Sequence, residues 1–213
     1  MTENNYIYAP SGHPADAFRC KVPMKGNRQV FVIDGGVQGT SAPLSIRYDK
    51  GCVGEEILQV IGVRTASGPK ELSFESTFHF EQNSQGRLIL CSHTFAEEAF
   101  LTKESLKITL EDNANVDIVL MQNEHNDAEH ICDFEINMGR DASLKMVFLT
   151  LHGGKITNNI KVNLNGENGS CDLSGLYVVD GKQQVRNIIS MNHRVPNCYS
   201  SQLFKGILDN SSV

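Results

Sequence analysis

Tryptophan is absent from this chain of 213 residues. That removes the usual aromatic platform of proteins that act on sugars. No apolar run approaches the ~18 residues that a helical membrane span needs. The amino terminus, Met1-Thr2-Glu3-Asn4-Asn5, lacks the basic segment and apolar stretch of a secretory signal. Lysine and arginine are nowhere clustered, and the net charge of −6 is spread along the chain. Nucleic-acid grooves and membrane-surface patches both need concentrated positive charge, so the reading is of a protein that binds neither. The six cysteines form no Cys-x-x-Cys pair, so no zinc knuckle or redox motif is spelled out. Reduced thiols in a cytoplasmic protein are the simplest reading of that scatter. Fingerprints of hydrolases, phosphate loops and dinucleotide-binding turns are missing as well.

Helical periodicity is nearly absent too. A single stretch, Ala96-Glu-Glu-Ala-Phe100, fits a short helical turn or a loop. What is present is alternation. Leu44, Ile46 and Tyr48 alternate with polar residues, as do Leu106, Ile108 and Leu110, then Cys132, Phe134, Ile136 and Met138, then Ile160, Val162 and Leu164. Period-two patterning of this kind means strands with one buried and one wet face. Hydrophobic residues at 40% and charged residues at 21% suit a folded core.

The strands repeat. An Asn or Asp, a small or polar residue and a polar–apolar strand onset recur at Asn83, Asn113, Asp141 and Asn168, with a looser copy at Asn197. The intervals are 30, 28, 27 and 29 residues. Each holds two strands and a second turn, such as His125-Asn-Asp127 or His152-Gly-Gly154. A unit this small cannot bury its apolar face alone, so successive units stack. The fold class expected is all-β, a parallel β-helix (β-solenoid) with coils of roughly 28 residues, spanning residues 41–213. A sandwich or jelly roll shares the alternation but has no need of a constant interval. Residues 1–40 read as an irregular segment with short strands at Phe18 to Val22 and Val30 to Ile33, ending in an Asp34-Gly-Gly36 turn. The acceptor tripeptides at Asn168 and Asn210 read as turns.

Thiols and imidazoles are the suggestive chemical set. Cys91 and His93 sit two apart on one side of a strand, as do His130 and Cys132. Thiolate and imidazole together suit iron and iron–sulfur chemistry. Cys132 continues the parity of Phe134 and Ile136, which favours a buried structural thiol, and Cys171 shares the parity of Leu173. Cys91 and His93 have the parity opposite to Leu88 and Leu90, so a pair of surface residues competes with a pair of ligands. His193 and Cys198 flank the Arg194-Val-Pro-Asn197 turn and could converge across it on a metal.

The segments Leu176-Tyr-Val-Val-Asp-Gly-Lys-Gln-Gln-Val-Arg-Asn187 and Met191-Asn-His-Arg-Val-Pro-Asn-Cys-Tyr-Ser-Ser-Gln-Leu-Phe-Lys-Gly-Ile-Leu208 resemble the SufB/SufD family of iron–sulfur cluster assembly proteins. His193, Pro196, Ser201 and Lys205-Gly206 carry the most specific part of that pattern. Tyr177, Gly181-Lys-Gln183 and Gly86-Arg-Leu-Ile-Leu-Cys-Ser-His93 match as well. Phe18-Arg-Cys-Lys-Val-Pro23 resembles the segment leading into SufD proteins, so the likeness leans towards SufD.

The resemblance implies a right-handed parallel β-helix and a non-catalytic scaffold subunit, working in the cytoplasm. Its implied partners are a SufB-like subunit and a SufC-like ATPase, or a second copy of itself in a homodimer. Iron or an iron–sulfur cluster would lie at a subunit interface. Against the family pattern, the chain reads as truncated at both ends: the Cys-x-His-Gly element and the helical segment that grips the ATPase are not found. The competing functional readings are a polysaccharide-active β-solenoid enzyme and a free-standing metal-binding module.

Overall fold

The computed structural model describes residues 27–38, 40–95 and 98–213. The regular elements among them are all β-strands. They are β1 (Asn27–Ile33), β2 (Gly36–Val37), β3 (Leu44–Tyr48), β4 (Val53–Arg64), β5 (Glu71–Phe80), β6 (Gln85–Thr94) and β7 (Leu101–Leu110). The second half adds β8 (Asn115–Asn123), β9 (Glu129–Met138), β10 (Ser143–His152), β11 (Lys155–Leu164), β12 (Ser170–Val179), β13 (Gln184–His193) and β14 (Tyr199–Leu208).

From β3 onward successive strands belong to alternate sheets. One sheet runs β14-β12-β10-β8-β6-β4-β1-β2 and the other β13-β11-β9-β7-β5-β3. Apart from the small β1–β2 hairpin, every pairing is parallel. From β3 onward each strand therefore pairs with the strand two elements further along, one full coil on. That is a β-solenoid, as the constant interval in the sequence requires. The strand at Val30 to Ile33 is the end of β1, which lies parallel to β4 in the larger sheet. Phe18 to Val22 and Ala96-Glu97 lie outside the described residues, and residues 98–100 are not helical. No helix among the described residues is long and apolar enough to cross a membrane.

The five repeat anchors explain why the chain turns where it does. Asn83, Asn113, Asp141, Asn168 and Asn197 all have left-handed backbones, with φ between 55° and 61°. Asparagine and aspartate tolerate that region better than other side-chain-bearing residues. The turns also stack on one another. Asn113 Nδ2 donates to Asn83 Oδ1 at 2.7 Å, and Asn168 Nδ2 to Asp141 Oδ1 at 2.9 Å. The next residue must be small because it points into the interior: Ser84, Ala114 and Ala142 are almost fully buried. Asn210, the other acceptor position, is likewise a left-handed turn residue.

Parallel pairing without slippage puts like positions of successive coils in columns. In the smaller sheet Phe80, Leu110, Met138 and Leu164 stack in register, as do Phe78, Ile108, Ile136 and Val162. In the larger sheet Leu58, Leu88, Ile118, Met146 and Leu173 do the same. These columns face one another and form one continuous core. Cutting one such residue to alanine costs about 2–5 kcal/mol.

Candidate functional site

The core is not apolar throughout. Where strands of the larger sheet end and those of the smaller sheet begin, the inward columns turn polar. Arg64, Thr94 and Glu124 end or follow β4, β6 and β8, at intervals of 30 residues. Facing them, one column of the smaller sheet reads Leu72, Thr102, His130, Ile156 and the next Phe74, Glu104, Cys132, Asn158. Arg64, Thr102, Glu124, His130, Cys132 and Asn158 are all buried.

At the centre of this polar corner stands His130. Its Nδ1–H donates to Glu124 Oε1 at 2.9 Å, and the other oxygen of Glu124 accepts from the Thr94 hydroxyl at 2.8 Å. Its Nε2 lies 3.7 Å from Glu104 Oε2, beyond hydrogen-bond reach, and has no hydrogen-bond partner. The second oxygen of Glu104, Oε1, accepts from the Ser76 hydroxyl at 3.1 Å. Behind Glu124, Arg64 pairs with Asp34 at 3.3 Å. On the far side Gln122, Thr150, Asn158 and Asn187 continue the corner as a hydrogen-bonded chain.

Burial disfavours charge on His130, but the carboxylates of Glu104 and Glu124 outweigh it and lift the imidazole well above its ordinary range. Burial likewise pushes Glu124 up, and the His130 contact, the Thr94 hydroxyl and Arg64 more than reverse it, holding the carboxyl below its usual range. Cys132 sits one coil from Glu104, its register partner. Burial first, and the nearby Glu104 and Asp133 second, raise its thiol well above normal. One ligand atom from each of Glu104, His130 and Cys132 lies within 4.8 Å of the others. A cavity of about 50 Å³ adjoins them, lined by Arg64, Ser92, Thr102, Glu104 and His130 beside apolar residues.

The residues singled out from sequence lie elsewhere. His193 ends β13 and is exposed, with Nε2 hydrogen-bonded to Ser200 Oγ at 3.0 Å. Cys198 follows the Asn197 turn, in the small-residue position that Ser84, Ala114 and Ala142 hold in earlier coils. Its thiol donates weakly to the carbonyl of Gly166 at 3.4 Å. Cys91 and His93 stand in register with Ile61 and Val63, on the sheet face opposite Leu88 and Leu90, as their parity implies. Both are nonetheless buried, at 3% and 6% exposure, so the reading of them as surface residues is corrected. Cys132 and Cys171 are buried, as their parity indicates.

Sequence reasoning paired His130 with Cys132 but missed Glu104, Glu124 and Arg64. The signal was there: Glu104 shares the inward parity of Leu106, and Glu124 that of Leu120. A charge at an apolar position is the mark of a buried polar site.

The motif residues have structural roles as well. Gly206 faces Tyr177 across the β12–β14 pairing, and a β-carbon at 206 would meet the tyrosine ring at 2.0 Å. Ser201 donates to Asp172 at 2.6 Å.

Comparison with known proteins bears on the same coils. Residues 64–213 match the family described as SUF system FeS cluster assembly, SufBD core domain. An iron–sulfur cluster assembly SufBD family protein of Mycobacterium leprae is 27% identical over 110 residues, 52% of this chain and 28% of that protein. Its counterpart in Mycobacterium bovis is 28% identical over 105 residues, 49% of this chain and 26% of that protein. The iron–sulfur cluster assembly protein SufD of Plasmodium falciparum is 28% identical over 107 residues, 50% of this chain and 7% of that protein. The matched part thus spans little more than a quarter of the mycobacterial relatives.

Proposed function

Because the chain belongs to the SufBD core family, we propose that it is a SufD-like scaffold subunit of an iron–sulfur cluster assembly complex and catalyses no reaction of its own. One observation carries this reading: the family match runs from the end of β4 through every later coil. The Plasmodium relative named SufD supports the SufD side of the family. On this reading the chain works in the cytoplasm, pairs with a SufB-type β-helix and a SufC-type ATPase, and aids iron acquisition. The cluster is cargo, held between subunits. A second copy of the chain could replace the SufB-type partner in a homodimer.

The solenoid suits a scaffold because it offers long, stiff sheet faces with few moving parts. Its acidic residues suit it less to sugar hydrolysis, which needs two carboxylates flanking an open groove. Glu104 and Glu124 point inward instead, and Glu124 is buried. His193, exposed at the end of β13, and Cys198, half-buried after the Asn197 turn, are the candidate interface ligands. Cys91 and His93, both buried, are a further candidate metal pair within the chain rather than at an exposed surface.

Co-expression with the SufB-type and SufC-type proteins of the same genome tests the proposal. With a tag on the SufB-type subunit, this chain should be retained in fixed ratio through a high-salt wash. Elution of the untagged chain in the flow-through would contradict it.

A further inference from the structure

The polar corner is buried within the solenoid of this one chain, and its geometry supports a role of its own. We infer that Glu104, His130 and Cys132 form a mononuclear site for a borderline divalent transition metal, Zn(II) or Fe(II), inside the solenoid.

Three features point there. The first is the donor set. One imidazole, one thiol and one carboxylate are the ligand types that Zn(II) and Fe(II) take, whereas Mg(II) and Ca(II) take oxygen alone. Their ligand atoms lie within 4.8 Å of one another. In a closed four-coordinate site such atoms stand ~3–4 Å apart, so about an ångström of side-chain movement completes the arrangement.

The second is what each ligand does with its other atoms. Glu124 accepts the Nδ1 proton of His130, which aims Nε2 away from Glu124 and towards Glu104 and Cys132. A carboxylate behind a histidine is the usual outer support of a metal-bound imidazole. Ser76 holds Oε1 of Glu104 and leaves Oε2 turned to Nε2.

The third is an unmet need. Nε2 of His130 has no hydrogen-bond partner although the residue is 4% exposed, and the Thr102 hydroxyl, in register with His130, has none either. Buried polar atoms are rarely left so. A metal meets the first directly. The adjoining cavity of about 50 Å³ has room for a bound water at the fourth position, close to Thr102. The Glu104 side chain, 16% exposed, gives the ion a route from solvent.

Binding is an exchange. The dication replaces one proton on His130 Nε2 and one on the Cys132 thiol, and both leave to solvent; no electron moves. The site depends on residues of this chain alone, so it stands or falls apart from the pairing with a SufB-type subunit.

The test uses the full-length chain, stripped with chelator, kept reduced with a phosphine and titrated with Co(II) as a visible probe. One Co(II) per chain is expected, with thiolate-to-cobalt absorption in the near ultraviolet that Zn(II) displaces. Cys132→Ser should abolish that absorption, and Cys52→Ser, at an exposed thiol, should leave it unchanged. Glu124→Gln should weaken binding about 10- to 100-fold. Absence of Co(II) uptake, or a thiolate band that survives Cys132→Ser, overturns the inference. Should Cys132→Ser fail to fold, Glu104→Gln at the more open end decides: unchanged Co(II) affinity overturns the site, and a loss of tenfold or more upholds it.

Discussion

Phe148 and Phe204 lie two coils apart in the larger sheet, yet their ring centroids are 5.9 Å from each other. Two strand spacings are ~9.6 Å, so the rings lean together across the residue between them. That residue is Gly175, where a β-carbon would meet the Phe204 ring at 2.2 Å. Gly175→Ala should therefore push Phe204 off Phe148 and cost about 1–3 kcal/mol. Because coils of a solenoid respond locally, the loss should appear as faster amide exchange in β14 while β6 to β8 stay protected. Uniform protection in the variant would contradict this packing.

The left-handed turns give a graded series. An L-residue without asparagine's tolerance pays ~1–2 kcal/mol in that region. Asn113→Gly should cost least, since glycine adopts the backbone freely and forfeits only the bond to Asn83. Asn113→Ala should cost about 1–2 kcal/mol and Asn113→Val more. Urea midpoints of the three variants check the order, and alanine matching glycine would refute it.

Much of this architecture is legible in the sequence. Asn83, Asn113, Asp141, Asn168 and Asn197 mark the turns of one kind from β5 onward, because a left-handed backbone selects the residue type; Gly51 holds the same place between β3 and β4. Alternation then fixes which side chains face inward. What period two does not reveal is where along a strand the interior changes character. Arg64, Thr94, Glu124, Glu104 and His130 meet because parallel register stacks them at the same corner, and register is a property of pairing between coils. Nor does alternation say whether the second face of a sheet is covered. Cys91 and His93 read as outward residues for that reason, and they are buried on that outer face.

The buried pair of Glu124 and His130 should dominate the stability of the middle coils. Glu124→Ala strands a buried imidazole and should cost about 3–5 kcal/mol. Adding His130→Gln to that variant should recover part of the loss, which a double-mutant cycle in urea would measure. Strictly additive losses would mean that the two side chains do not interact.

Alkaline stability should report on Cys171. Burial lifts its thiol from an ordinary 9.0 to about 12, with Asp172 adding to the shift. The folded chain then keeps a proton that the unfolded chain has released. This contribution is whole below pH 9 and is lost as pH rises from 9 towards 12. Urea midpoints of the wild type should fall more steeply over that window than those of Cys171→Ala, in which the other titrating groups are unchanged. Parallel slopes would show that the thiol titrates normally.

The claim that this chain scaffolds cluster assembly is tested most directly by the iron and acid-labile sulfide carried by the SufB-type and SufC-type proteins, purified anaerobically from cells with and without it. Iron and sulfide in the assembly should drop several-fold when the chain is missing and return when it is supplied. Equal iron and sulfide in both preparations would contradict it.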